Sequence, residues 1–307
     1  MIAARADYRE SFVGTNTPTL DPAAVQRRAA ILMARDNWTR EQLLAYQRQR
    51  VQETLEHAVT SSAYYRETIG HLVARQAPLE DLPVLTKDQL VANFDRIVTD
   101  SRLRFGDIER HLAGERAADL LFGQYRACAT GGTTGVRAVI VYDQTAWENA
   151  SANAARFLRA TGATANARYI GIGAPTPQHL SYRIFAEMRA ARPGVPRLDV
   201  TMPISEVVSA LNEFQPEVIA TYPSFIRLLA EEQLDGRLKI STRRFCSVAE
   251  CLMPDLRDLA RQAWGATIFN RFAATETGVG GTECEHLSGI HLPEDLVAFE
   301  SVDQANR

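Results

Sequence analysis

From about residue 144 onward the chain alternates between short apolar runs and amphipathic stretches, and this alternation constrains its fold more than any other feature. Apolar residues recurring every three or four positions mark helices with one buried stripe, whereas short continuous apolar runs bounded by turn residues mark buried strands. The spacing predicts helices over Thr145 to Gly162, His179 to Ala191, Ser205 to Phe214, Ser224 to Leu234 and Pro254 to Gly265, with Thr145 and Ser224 as caps. It predicts strands over Ala167 to Gly173, Leu198 to Thr201, Glu217 to Thr221, Arg243 to Val248 and Thr267 to Phe272. Strands and helices in turn imply an α/β fold, with a mostly parallel sheet flanked by helices. Ligands of such sheets sit beyond the carboxyl ends of the strands. The loops at 173–181, 221–224, 248–251 and 272–276 are therefore expected to converge on one crevice.

The first half reads as helical. Residues 1–20 are turn-rich, a helix is expected over Pro22 to Ala34, and Thr39 with Gln42 forms a capping box ahead of Leu43, Leu44, Val51, Leu55 and Val59. Thr86 and Gln89 form a second box, starting a short helix through Phe94. At 307 residues and 46% hydrophobic content the chain can bury a large core, as one domain or two. A net charge of −3 provides no basic field for nucleic acid. No apolar run approaches the roughly 20 residues that span a bilayer, and Arg5, Asp7, Arg9 and Glu10 leave no signal core. The expectation is a cytoplasmic protein without membrane or nucleic-acid partners. Four cysteines without a framework spacing are expected to be reduced thiols or ligands.

Between a strand expected at Leu120 to Tyr125 and another at Arg137 to Tyr142 lies Ala127-Cys128-Ala129-Thr130-Gly131-Gly132-Thr133-Thr134-Gly135-Val136-Arg137. Its glycines free the backbone to turn, and its amides and hydroxyls are suited to cradling a phosphate. A ligand-free Gly/Thr hairpin fits the composition equally well. A P-loop does not, because Gly135 is followed by Val136 and Arg137 rather than Lys and Ser or Thr. Thr275 and Glu276 follow the last predicted strand, where a hydroxyl and a carboxylate suit a Mg2+ shared with a nucleotide; Glu276 is the candidate ligand, or a surface glutamate before a turn. Phe272 is a candidate for stacking on a base, or a core aromatic. Tyr222 stands at a strand-to-helix corner and could line an organic pocket. Cys284, His286 and His291, with Cys246 or Cys251, are candidate Zn2+ ligands, although their spacing matches no strong signature and packing cysteines with surface histidines serve as well.

Taken in order, these residues resemble the adenylate-forming superfamily, and within it the phenylacetate-CoA ligase-like branch. Ala129 to Gly135 is similar to that branch's Ser-Ser-Gly-Thr-Thr-Gly loop, Ala249-Glu250 to its Gly-Ala-Glu adenine motif, and Phe272 to Glu276 to its Tyr-Gly-x-Ser/Thr-Glu motif. Glu283-Cys284, Gly289 to Leu292 and Glu294-Asp295 are similar to its Glu-Cys, Gly-Leu-His and Glu-Asp run, and the likeness extends over about residues 40–300. It implies an adenylate-forming N-terminal domain of layered, mostly parallel sheets. The implied parts are an arm and first helix at 1–38, a helical part at 39–120, a nucleotide-binding part at 121–282 and the start of a β subdomain at 283–307.

The implied activity joins a carboxylic acid, expected to be aromatic, to ATP and then to CoA through an acyl adenylate. Thr130 to Gly135 and Arg137 would hold the phosphates, Ala249, Glu250 and Phe272 the adenosine, Thr275 and Glu276 the catalytic Mg2+ region, and His179, Ser181 and Tyr222 the acid. Arg137 stands near a position where the branch usually has Lys. The branch's ribose-holding segment and lysine-bearing C-terminal lid have no counterpart before Arg307, so the alternative expectation is a nucleotide- or acyl-ligand-binding fragment. A homodimer is a further expectation from the resemblance.

Overall fold

The computed structural model describes residues 20–131, 137–164 and 166–301. The expected arm at 1–19, the cradle residues Gly132, Thr133, Thr134 and Gly135, and residues 302–307 lie outside the described residues. Asp21 accepts from the Ala23 amide and Pro22 takes the first turn of α1 (Pro22–Arg35), where its missing N–H costs no hydrogen bond. Thr39 and Gln42 exchange the two hydrogen bonds of a capping box to open α2 (Arg40–Ser61), against which α3 (Ala63–Ala74) folds back. Thr86 and Gln89 open α4 (Lys87–Ala92) in the same way. That helix stops at Asn93, and Phe94, expected as its end, instead begins the separate turn α5 (Phe94–Ile97), followed by α6 (Phe105–Ala113).

Residues 120–125 form a tight turn rather than the expected strand, because Phe122 and Gly123 take positive φ (54° and 70°) and Leu121 bridges Tyr125. The strand lies just beyond. β1 (Arg126–Ala129) pairs antiparallel with β2 (Val139–Tyr142), and the glycine-rich segment connects them. Next comes α7 (Gln144–Ala160), capped by Asp143, whose carboxylate accepts from the Ala146 amide at 2.7 Å; the expected cap, Thr145, already lies inside the helix.

The main sheet contains β3 (Tyr169–Gly171), β4 (Val218–Thr221), β5 (Arg244–Ser247) and β6 (Thr267–Ala274), parallel and adjacent in chain order. Two antiparallel strands, β7 (Gly278–Glu283) and β8 (Ile290–His291), extend it beyond β6. Its helices are α8 (Leu180–Ala190), α9 (Ile204–Phe214), α10 (Pro223–Leu234) and α11 (Pro254–Trp264). Ile170, Ile219, Phe245 and Ile268 are register partners across four strands, each at most 1% exposed, and pack beneath α9, α10 and α11. Burying each such side chain contributes about 1.5–3 kcal/mol. Alternate residues Tyr169, Val218, Ala220 and Cys246 face the other way, toward the end of α7 and Phe185 and Met188 of α8. This is an α/β fold with a mixed sheet flanked by helices.

Two departures have local causes. Leu198 to Thr201 makes only a single bridge, Gly173 to Asp199, because Asp199 accepts from the amide and hydroxyl of Thr201 and turns the chain away. β7 is not among the strands expected from the sequence, and its glycines are what allow the strand to pack. A Cβ on Gly280 would stand 2.7 Å from the Phe272 ring, and one on Gly281 would stand 2.5 Å from Ile290. Among the described residues no helix is long and apolar enough to cross a membrane.

Candidate functional site

The carboxyl edge of the parallel strands brings together several of the nominated residues. After β3, Ser181 of α8 accepts from the Ala174 amide at 3.4 Å and lies 3.4 Å from the Tyr222 hydroxyl at the end of β4. Tyr222 precedes Pro223, the first residue of α10, and its side chain makes no capping bond. Ser224, expected as the cap, sits inside the helix; its amide and hydroxyl both donate to Glu250, each at 2.9 Å. Glu250 thus caps α10 from the neighbouring loop and ties the end of β5 to the end of β4. Beside it Ala249 is held at φ 67°, a conformation that costs an L-residue about 1–2 kcal/mol.

The described ends of the glycine segment are anchored separately. Thr130 donates its amide to the Ala138 carbonyl at 2.9 Å, and its hydroxyl accepts from the Ala138 amide at 3.1 Å. Gln178 connects this segment to the crevice: its carbonyl accepts from the Ala129 amide at 2.8 Å, and its side chain accepts from exposed Arg137 at 2.6 Å. A Cβ built on Gly131 would have no neighbour within 4 Å among the described residues. His179, next to Gln178, is half-buried; burial, and then the positive charge of Arg137, push its pKa below the ordinary histidine value.

Burial likewise lowers His111. Both imidazoles therefore take up a proton less readily folded than unfolded, and their contribution to stability is complete above the unfolded value of about 6.5 and is lost as pH falls. A falling Tm between pH 7 and pH 5 is the expected outcome, with a shallower fall in His179→Gln. An unchanged slope in that variant would remove His179 from the account.

Thr275, Glu276 and Thr277 form the turn between β6 and β7, where Ala274 pairs with Gly278. Glu276 is exposed and forms no hydrogen bond or ion pair with any described residue. The hydroxyl of Tyr142, at the end of β2, donates to the Thr275 carbonyl and joins this turn to the strand leaving the glycine segment. Burial pushes the Tyr142 phenol up, and the nearby Cys128 and Glu276 charges add to the shift. The Thr277 hydroxyl is buried without a hydrogen-bond partner among the described residues. Phe272 is 50% exposed, its ring lying over Gly280 rather than in the core.

A nucleotide-borne Mg2+ takes one or two protein carboxylates and completes its shell with phosphates and water. An exposed, uncommitted Glu276 fits that requirement. The zinc set is a correction. Among the described residues no three His, Cys, Asp or Glu side chains converge to hold a metal ion. Cys246 is fully buried in β5, Cys251 is exposed beyond that strand, and Cys284 lies on the far side of β7 from the 275–277 turn, with His286 and His291 exposed. Strand alternation turns the Cys246 thiol into the packed face, away from the loops. Tyr142 and Gln178 were not among the residues nominated from sequence. Tyr142 ends the strand after the glycines, which is a local clue, but its partner is 133 residues away.

No protein-family model and no curated protein matches the sequence. Among solved structures the chain is similar to 2-hydroxyisobutyryl-CoA ligase in complex with 2-HIB-AMP and CoA in the thioesterification state. The TM-score is 0.68 at 17% identity, over 88% of this chain and 57% of that one. An open conformation of the same ligase with 2-HIB-AMP and CoA gives a TM-score of 0.65 at 17% identity, over 85% and 56%. The chain thus spans little more than half the length of these structures. At this identity what is shared is the fold: the α/β architecture described above is also found in the matching part of these ligase structures.

Proposed function

We propose that the chain is the nucleotide-binding domain of an ATP-dependent carboxylate-CoA ligase of the phenylacetate-CoA ligase-like type, acting on a compact, aromatic acid. The observation that carries this reading is the uncommitted Glu276 carboxylate, on a turn bonded to the strand that leaves the glycine segment. Thr130 and Arg137 would hold phosphate oxygens at that segment, joined by Gly131 to Gly135. Glu276 would hold Mg2+, which when bound neutralises charge on the phosphates as the acid attacks. Glu250 keeps the 249–250 loop against α10, leaving Ala249 and exposed Phe272 to border the adenosine. Ser181 and Tyr222, beside His179, form a polar wall for the acid. Their role is to orient the carboxylate and bring it within attacking distance.

Calorimetric titration with Mg-ATP, with and without phenylacetate or benzoate, tests this reading. Saturable binding strengthened by the acid is expected, and no heat at millimolar ATP would overturn it. Gly131→Val supplies the companion test. No described residue lies within 4 Å of the added Cβ and φ is not positive, so the variant should keep its Tm while losing roughly tenfold or more in ATP affinity. Wild-type affinity in this variant would remove the segment from phosphate binding.

A further inference from the structure

The phenol of Tyr142 occupies an unusual place. Its ring is 5% exposed and packs edge-on against Trp147, with centroids 5.3 Å apart. Its backbone is fixed by pairing with Arg126 across the β1–β2 ladder. From this rigid base the hydroxyl reaches into the turn between β6 and β7. It donates to the carbonyl of Thr275, the first residue after β6, and so ties the turn to β2. The turn has a second seat on α7, since a Cβ on Gly278 would lie 3.2 Å from the Ala150 side chain, and Gly278 itself needs its positive φ of 72°.

We propose that Tyr142 is a positioning residue, clamping the 275–278 turn to β2 so that Glu276 keeps a fixed place relative to the glycine segment. This rests on the nucleotide reading above for its functional consequence, and on the hydrogen bond from Tyr142 to Thr275 for the clamp. Loosening the turn would let Glu276 wander away from a phosphate-bound metal without altering contacts to the rest of the nucleotide. The loss should therefore fall on the metal-dependent part of affinity.

The test is Tyr142→Phe, which keeps the ring against Trp147 and removes the hydroxyl. ATP affinity is measured with and without Mg2+ in wild type, Tyr142→Phe and Glu276→Gln, together with amide hydrogen exchange at Gly278. The expected result is a Mg2+ enhancement cut by about tenfold in Tyr142→Phe, unchanged metal-free affinity, and roughly tenfold faster exchange at Gly278. A residue that merely supported the fold would lower Tm and leave the Mg2+ enhancement intact. Wild-type enhancement in Tyr142→Phe would overturn the proposal. If wild type shows no Mg2+ enhancement, the nucleotide reading fails, and Gly278 exchange decides the clamp by itself: faster exchange upholds it and unchanged exchange overturns it.

Discussion

Glu187→Ala is expected to destabilise the protein by about 3–5 kcal/mol, the largest single-residue loss of stability foreseen here. Arg126 has a fully buried side chain, and its Nε lies 2.7 Å from Glu187, whose own side chain is 11% exposed. The second carboxylate oxygen accepts from the Trp147 indole at 2.6 Å, and the guanidinium also lies 5.2 Å from the Trp147 ring centroid. Removing the carboxylate leaves a cation in the core and an indole donor without its acceptor. Removing both charges at once is different, because the cost of burying them disappears with them. Arg126→Met combined with Glu187→Leu should recover most of the loss. Chemical denaturation of the two variants checks this, and a Glu187→Ala variant within 1 kcal/mol of wild type would show that other groups neutralise Arg126.

Glu276→Gln should leave the fold intact and lower Mg-ATP affinity by roughly 100-fold, while metal-free ATP binding stays the same. The side chain is exposed and forms no bond with any described residue, so its amide costs the folded state little. Glutamine keeps the size and one oxygen but not the charge that a hard divalent cation requires. Competition with Mn2+, followed by paramagnetic relaxation, separates loss of metal from loss of nucleotide. Equal Mg-ATP affinity in the two proteins would take Glu276 out of the metal role.

The main sheet was legible because its signals are local. Pro22, Pro223 and Pro254 stand at helix starts, Gly265 terminates α11 at φ 63°, β4 and β5 fall within the apolar runs that suggested them, and β6 starts with its run but continues past Phe272 to Ala274. β7 was hidden because residues that weaken a strand in isolation are required once Phe272 and Ile290 lie across it. Misplaced caps follow the same logic. Asp143 outcompetes Thr145 from two residues upstream, and the side chain that caps α10 comes from Glu250, 26 residues beyond Ser224. In the candidate site, residue types and strand ends were readable, but the bonds that hold them were not. Ser181 with Tyr222, and Tyr142 with Thr275, are pairs separated by 41 and 133 residues, distances over which no periodicity carries information.

The four parallel strands lie side by side in the order in which they are synthesised. Each new strand can therefore dock on the exposed edge of the one before it, without waiting for a later segment to fill a gap. At about 5–20 residues per second the ribosome delivers one strand and its helix every few seconds, slower than docking itself. Growth from one edge also means that an unpaired strand is always present until β7 and β8 arrive. Their antiparallel return covers β6 and leaves the two-residue β8 at that edge. The stretch after β8 then reaches back to the first helix, where Asp295 meets Arg156 at 2.8 Å and Arg35 of α1 at 3.4 Å, adding charge pairs to a helix already packed on α7 through Ala29, Leu32 and Ala152.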